Sequence, residues 1–174
     1  MQICKTFAAG AAWSRQFRHG RYNRNMLRDP SLIPLSHQHQ HGLALCVTIE
    51  RGLRQDRSPE TAAKMARRVA DIFDLELRNH FDVEERILFP AIRENLGPTP
   101  LVDELIAEHR QLEALVRDVA TAEPEVLLRF AAQLSEHIRR EERELFEDIQ
   151  KRLPRETLDR LGQAIDRDVV RVCL

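Results

Sequence analysis

The stretch LRNHFDVEERILF, Leu77 to Phe89, has a counterpart 57 residues further along in LSEHIRREERELF, Leu134 to Phe146. Leu77, His80, Glu84, Glu85, Leu88 and Phe89 return in register as Leu134, His137, Glu141, Glu142, Leu145 and Phe146. Apolar residues in both stretches recur at spacings of three and four, as they do in a helix that buries one face. A histidine and a glutamate occupy that stripe where leucines are expected.

Working outward, the same periodicity divides the chain into helices with legible ends. The first runs from about Leu35 to Arg54 and stops in Gln55-Asp56-Arg57. Ser58-Pro59 supplies a cap and a first-turn proline for the second, whose stripe reads Ala66, Ala70, Phe73, Leu77, His80, Glu84, Leu88 until Pro90 is expected to disturb it. Thr99-Pro100 caps a third, reaching about Ala122, with the stripe Val102, Leu105, His109, Leu112, Val116, Val119. Pro124 starts a fourth that extends to about Arg152 with Leu127, Phe130, Leu134, His137, Glu141 and Leu145. After Pro154 a short fifth helix carries Leu158, Leu161, Ile165, Val169 and Val172. No strand-like alternation competes, so the expectation is an all-α four-helix bundle over residues 32–153. A C-terminal helix, residues 154–174, would pack on the bundle or make a homodimer contact.

Composition narrows the function classes. With 174 residues, 43% hydrophobic and 32% charged, the chain can bury one core. The net charge of −1 gives no global basic field for nucleic acid, and no apolar run approaches the roughly 18 residues of a membrane span. Cys4, Cys46 and Cys173 are odd in number and widely spaced, which points to a reducing, cytoplasmic compartment. Residues 1–31 form a basic extension: Lys5, Arg15, Arg18, Arg21, Arg24 and Arg28 precede the first acid, Asp29, with Phe7, Trp13, Phe17 and Tyr22 between them. Transit peptides and RNA-contacting segments share that character, but an arm packed over the domain is the plainer reading.

Residues four apart on a helix lie one turn above each other, so each HxxxE pair aims an imidazole and a carboxylate at one spot. Two unpaired carboxylates on core stripes would cost several kcal/mol or be forced to protonate, and a metal cation is the economical compensation. His109 adds a third donor helix. On the first helix the stripe Leu35, His39, Leu43, Cys46 favours His39, with His41 in reserve and His37 beside the site or in solvent. Two six-coordinate ions offer twelve positions. His39, His80, His109 and His137 would fill four, Glu84 and Glu141 as bridges another four, and a bridging oxygen two, which leaves two open. Iron suits this donor set best, with manganese and zinc as alternatives. Glu113, at ligand spacing from His109, reads as solvated or as supporting a ligand, Glu85 and Glu142 as facing water in preference to orienting ligands, and Cys46 as a small buried hydrophobe.

These residues resemble the hemerythrin-like, or HHE cation-binding, family. The likeness runs from about Ser31 to Arg152 through LSHQHQHGL, HFDVEERILFP, EHRQL and HIRREERELF. It implies an up-down-up-down bundle holding a non-haem di-iron centre, with His39, His80, Glu84, His109, His137 and Glu141 as ligands. The family's invertebrate oxygen carriers have a histidine where this chain has Glu113, and an aspartate five residues beyond the fourth-helix histidine where it relies on Glu141, which argues against reversible oxygen carriage. Members that repair iron–sulfur clusters carry an N-terminal cysteine pair, and here Cys4 stands alone. The expected function is binding of a small diatomic ligand, oxygen or nitric oxide, for sensing, storage or scavenging. The alternatives are a di-iron oxidase, peroxidase or repair enzyme, and a helical interaction module with a structural metal.

Overall fold

The computed structural model describes residues 28–171, and the regular structure among them is entirely helical. The expectations for residues 1–27, for Cys4 and Cys173 and for Val172 lie outside the described residues. A 3₁₀ turn (Pro30–Leu32) leads into α1 (Ile33–Gln55). Helix α2 is a rod of three α segments (Pro59–Ile72, Arg78–Val83, Phe89–Leu96) joined by π turns at Phe73–Leu77 and Glu84–Leu88. Then come α3 (Pro100–Val119) and α4, whose segments Pro124–Arg140 and Phe146–Arg152 flank a third π turn at Glu141–Leu145. The short α5 (Arg155–Asp168) follows Pro154.

Local chemistry explains most of these ends. Ser58 accepts a hydrogen bond from Thr61 N at 3.3 Å and caps α2, as its sequence position predicts. Thr99 marks the start of α3, but its hydroxyl donates to Gly97 O instead of capping the helix. Helix α3 ends at Val119, short of Ala122, which takes a left-handed φ of 57°. Pro90 does not end α2, which continues to Leu96 and stops at Gly97, where φ is +78°. The π turn removes the conflict: Phe89 N–H reaches back five residues to Glu84 O, so the turn is already widened where proline lacks a donor and needs room.

Packing divides the interior in two. One apolar cluster holds Leu45, Leu77, Phe81, Leu112, Leu134 and Ile138; the other holds Leu35, Val83, Leu88, Leu105 and Leu145. Each of the four long helices passes from one cluster to the other. The crossing points fall at His39 on α1, His80 and Glu84 on α2, His109 on α3, and His137 and Glu141 on α4. Thus a polar layer lies between two apolar ones. Helix α5 closes the second cluster with Leu158, Leu161, Ile165 and the following Val169.

Gly162 faces the 3₁₀ turn at Ser31. A Cβ there would lie 2.9 Å from Ser31 Cα, a backbone atom with no rotamer to yield. At Gly52 the nearest atom is Met65 Sδ, at 3.4 Å. Gly162→Ala should therefore cost about 1–3 kcal/mol through overpacking. Gly52→Ala should gain up to about 1 kcal/mol of helix propensity. Urea unfolding of the two variants checks the sign; equal stabilisation by both would contradict this packing.

Candidate metal centre

The stripes that bring the donors together step by four: His80, Glu84, Leu88, Ile92 on α2 and His137, Glu141, Leu145, Ile149 on α4. A regular helix turns about 100° per residue, so such a stripe would rotate by about 120° over its length and leave the core. Each π turn absorbs about one residue and cuts the drift to about 20°. All eight residues are accordingly 0–2% exposed. Both π turns begin at a glutamate of the repeat, Glu84 and Glu141, so the repeat encodes a backbone feature as well as a pair of side chains.

Inside the layer, four imidazoles aim Nε2 at the two glutamates. His39 Nε2 lies 2.9 Å from His80 Nε2 and 3.0 Å from Glu141 Oε2. His109 Nε2 lies 3.1 Å from His137 Nε2 and 3.4 Å from Glu84 Oε2. Glu84 Oε2 is also 3.4 Å from His80 Nε2, and Glu141 Oε2 is 3.3 Å from His137 Nε2. These carboxylate approaches are close but lack hydrogen-bond alignment: all four oxygens of Glu84 and Glu141 are buried without a hydrogen-bond partner. Two overlapping donor sets result, His39–His80–Glu84–Glu141 and Glu84–His109–His137–Glu141, each with its donor atoms within 4.8 Å of one another. Nitrogen lone pairs and carboxylate oxygens at such spacing are what a transition-metal cation takes up.

An outer ring fixes the imidazoles. His39 Nδ1 donates to Glu142 at 2.7 Å, His109 Nδ1 to Glu85 at 2.9 Å, His137 Nδ1 to Glu108 at 2.8 Å and His80 Nδ1 to Gln38 at 2.9 Å. With the proton on Nδ1, Nε2 is left to face the centre. Behind the acids stand arginines: Arg28 on Glu142, Arg110 on Glu85 and Arg140 on Glu108. Phe81 stacks on His109 with centroids 4.1 Å apart, and Phe146 on His39 at 5.4 Å.

The electrostatics follow from burial and like charge. Burial and the neighbouring Glu141 hold the Glu84 carboxyl well above the ordinary carboxylate range. Burial also opposes ionisation of Glu141, but His137 and His39 outweigh it and keep that carboxyl low. Burial would lower the His39 imidazole, yet the adjacent carboxylates of Glu141 and Glu142 raise it to about 8. Burial and the charge of His39 hold His80 well below its usual value. Cation uptake by this cluster therefore displaces protons.

All six residues expected at the centre lie in the two donor sets. His41 does not; it bonds the buried Glu76 at 2.9 Å. His37 is exposed in a groove of about 650 Å³ beside α1. Glu113 pairs with Arg110 outside both sets. Glu85 and Glu142, expected to face water, instead orient His109 and His39, because each follows its stripe glutamate by one residue and reaches the adjacent helix. Gln38, Glu76 and Glu108 escaped the sequence reading. Glu108 and Gln38 share one positional signal, since each directly precedes a stripe histidine, His109 and His39. Cys46 is buried, and burial with the nearby Glu50 pushes its thiol up to about 12, in keeping with a packing role.

Among known families, the model of the hemerythrin HHE cation-binding domain matches residues 34–149, two-thirds of the chain. Searches of curated proteins and of solved structures gave no match.

Because Glu84 and Glu141 are like charges sharing one buried space, neutralising one has opposite effects on folding and on cation uptake. In the presence of a chelator, Glu84→Gln should be at least as stable at neutral pH as the parent chain. With ferrous ion added, the parent should gain stability and Glu84→Gln should gain little or none. Thermal melts with and without ferrous ion check both; a chelated variant that melts far below the parent would contradict the argument.

Proposed function

The chain belongs to the hemerythrin HHE cation-binding family, and from that premise we propose that it holds a non-haem pair of iron ions and takes up a small diatomic ligand, oxygen or nitric oxide, for sensing, storage or scavenging. The observation that carries this reading is the set of four carboxylate oxygens, on Glu84 and Glu141, that are fully buried and have no hydrogen-bond donor. His39, His80, His109 and His137 supply the nitrogens, two in each donor set, and the two glutamates belong to both sets. Such sharing suits a pair of ions better than a single one. We read the bundle as up-down-up-down, since successive long helices cross the two apolar clusters in alternating order.

When bound, the ions would supply redox-active Lewis-acid positions at which a diatomic ligand can sit. The chain's own residues do the remainder. Four imidazoles with protonated Nδ1 are pre-set to bind through Nε2, and Phe81 and Phe146 exclude water and hold His109 and His39 in place. The centre is closed to bulk solvent, with the six donor residues at most 2% exposed, which fits a ligand of very few atoms. Imidazole in equal number with donor oxygens favours iron, with manganese and zinc as competitors.

Metal analysis of the anaerobically reconstituted protein should return about two irons per chain, and its visible spectrum should change on adding oxygen or nitric oxide. At a thousandfold excess over its dissociation constant, each ferrous ion bound should stabilise the fold by about 4 kcal/mol. His137→Ala and Glu141→Ala should lose both the iron and that stabilisation, and His37→Ala should lose neither. Sustained consumption of peroxide or nitric oxide with a reductant would make the protein an enzyme. One tightly held zinc with no spectral response would make the metal structural.

A further inference from the structure

The contacts around the centre repeat in a two-fold pattern. His80 and Glu84 on α2 correspond to His137 and Glu141 on α4, and His39 on α1 corresponds to His109 on α3. The outer acids follow suit: Glu142 orients His39 as Glu85 orients His109. So do the rings, with Phe146 stacked on His39 and Phe89 on His109. Among the hydrogen bonds to the four imidazoles, the pattern breaks at one pair of positions. Glu108, immediately before His109, accepts from His137 Nδ1; Gln38, immediately before His39, accepts from His80 Nδ1. One half has two carboxylates behind its imidazoles, the other a carboxylate and a neutral amide.

The orientation of that amide is fixed by its second partner. Gln38 Nε2 is 3.0 Å from the main-chain carbonyl of Val170, which can only accept. Gln38 therefore turns its oxygen to His80, and His80 must donate through Nδ1. The segment carrying Val170 is itself anchored: Val170 N donates to Asn79 Oδ1 at 2.8 Å, and Asn79 Nδ2 donates to Asp168 O at 3.0 Å. Gln38 is buried, at 2% exposure.

A carboxylate accepting from Nδ1–H pushes electron density onto Nε2 and makes the imidazole a stronger ligand than an amide does. Resting on the two-ion reading above, we propose that the halves of the centre are unequal and that Gln38 makes them so: His109 and His137 belong to the tightly held ion, and His39 and His80 to the exchangeable one. Gln38 acts as a positioning residue, through His80 and not on the ion. Of the two ions, the one beside His80 is then the first lost to a chelator and the last gained.

The test is anaerobic calorimetric titration of the full chain with ferrous ion. The parent should show two steps of about one ion each. Gln38→Ala should weaken the second step by about 10–100-fold and leave the first in place, whereas Glu108→Gln should weaken the first by a similar factor. Gln38→Glu supplies the missing carboxylate, with the Val170 segment still anchored by Asn79, and should tighten the second step; a merely structural role would loosen it in both Gln38 variants. Loss of the first step in Gln38→Ala, equal weakening of both steps, or a first step unmoved by Glu108→Gln would overturn the assignment. Failure of the parent to take up ferrous ion at all would instead overturn the two-ion reading on which it rests.

Discussion

Glu84 and Glu141 are two carboxylates at the centre of an apolar bundle with no hydrogen-bond donor between them. Removing such groups from water costs several kcal/mol each even after relaxation, and their mutual repulsion adds to it. The surroundings are arranged in shells of alternating sign around that demand. Imidazole Nε2 atoms face inward, Nδ1–H groups point outward to Glu85, Glu108 and Glu142, and Arg110, Arg140 and Arg28 stand behind those acids. A cation at the middle completes the alternation. Without one, protons must do so, which is why Glu84 is driven up and His39 is held charged.

Placing the demand between two apolar clusters rather than at one end of the bundle has a mechanical consequence. Each long helix is anchored by buried apolar side chains on both sides of its donor, as Leu35 and Leu45 flank His39 and Leu105 and Leu112 flank His109. A donor held at both ends by close-packed side chains cannot swing without opening a cavity, and cavities are expensive. The donors are thus pre-organised by packing, and the outer hydrogen bonds need only choose the tautomer.

The six candidate donors gathered at the centre, and the helices that carry them, were legible because a helix assigns facing by residue number alone. His80, Glu84, His137 and Glu141 share a face with leucines, and the leucines locate the core. Contacts between helices were less legible. Glu108 reaches His137 and Gln38 reaches His80 across an interface, and those meetings depend on how the helices are rotated against each other. The π turns occupy a middle ground. A stripe that steps by four three times in succession is incompatible with a regular helix, so His80–Glu84–Leu88–Ile92 already contained the irregularity, as did Pro90 within an otherwise continuous apolar pattern. The buried Glu76 lies in the remaining π turn, Phe73–Leu77, which has no counterpart in α4 and no comparable mark in the sequence.

The repeat also accounts for how a charged centre stays dry. Its final residue is phenylalanine in both copies, and each ring packs on the inward-facing histidine of a neighbouring helix: Phe89 on His109, Phe146 on His39. The glutamate at the sixth position of each HxxxEE segment bonds that same histidine. One stretch of sequence thus provides a donor pair for the centre, a widened turn that keeps the pair facing inward, and an acid and a ring that immobilise a histidine it does not contain. Two copies of such a stretch, paired with two helices that each turn one histidine inward, close the layer. Neither copy is complete alone, since each orients a ligand on a third helix, so the centre and the bundle must assemble together. The binding free energy of a cation is consequently folding free energy for all four helices at once.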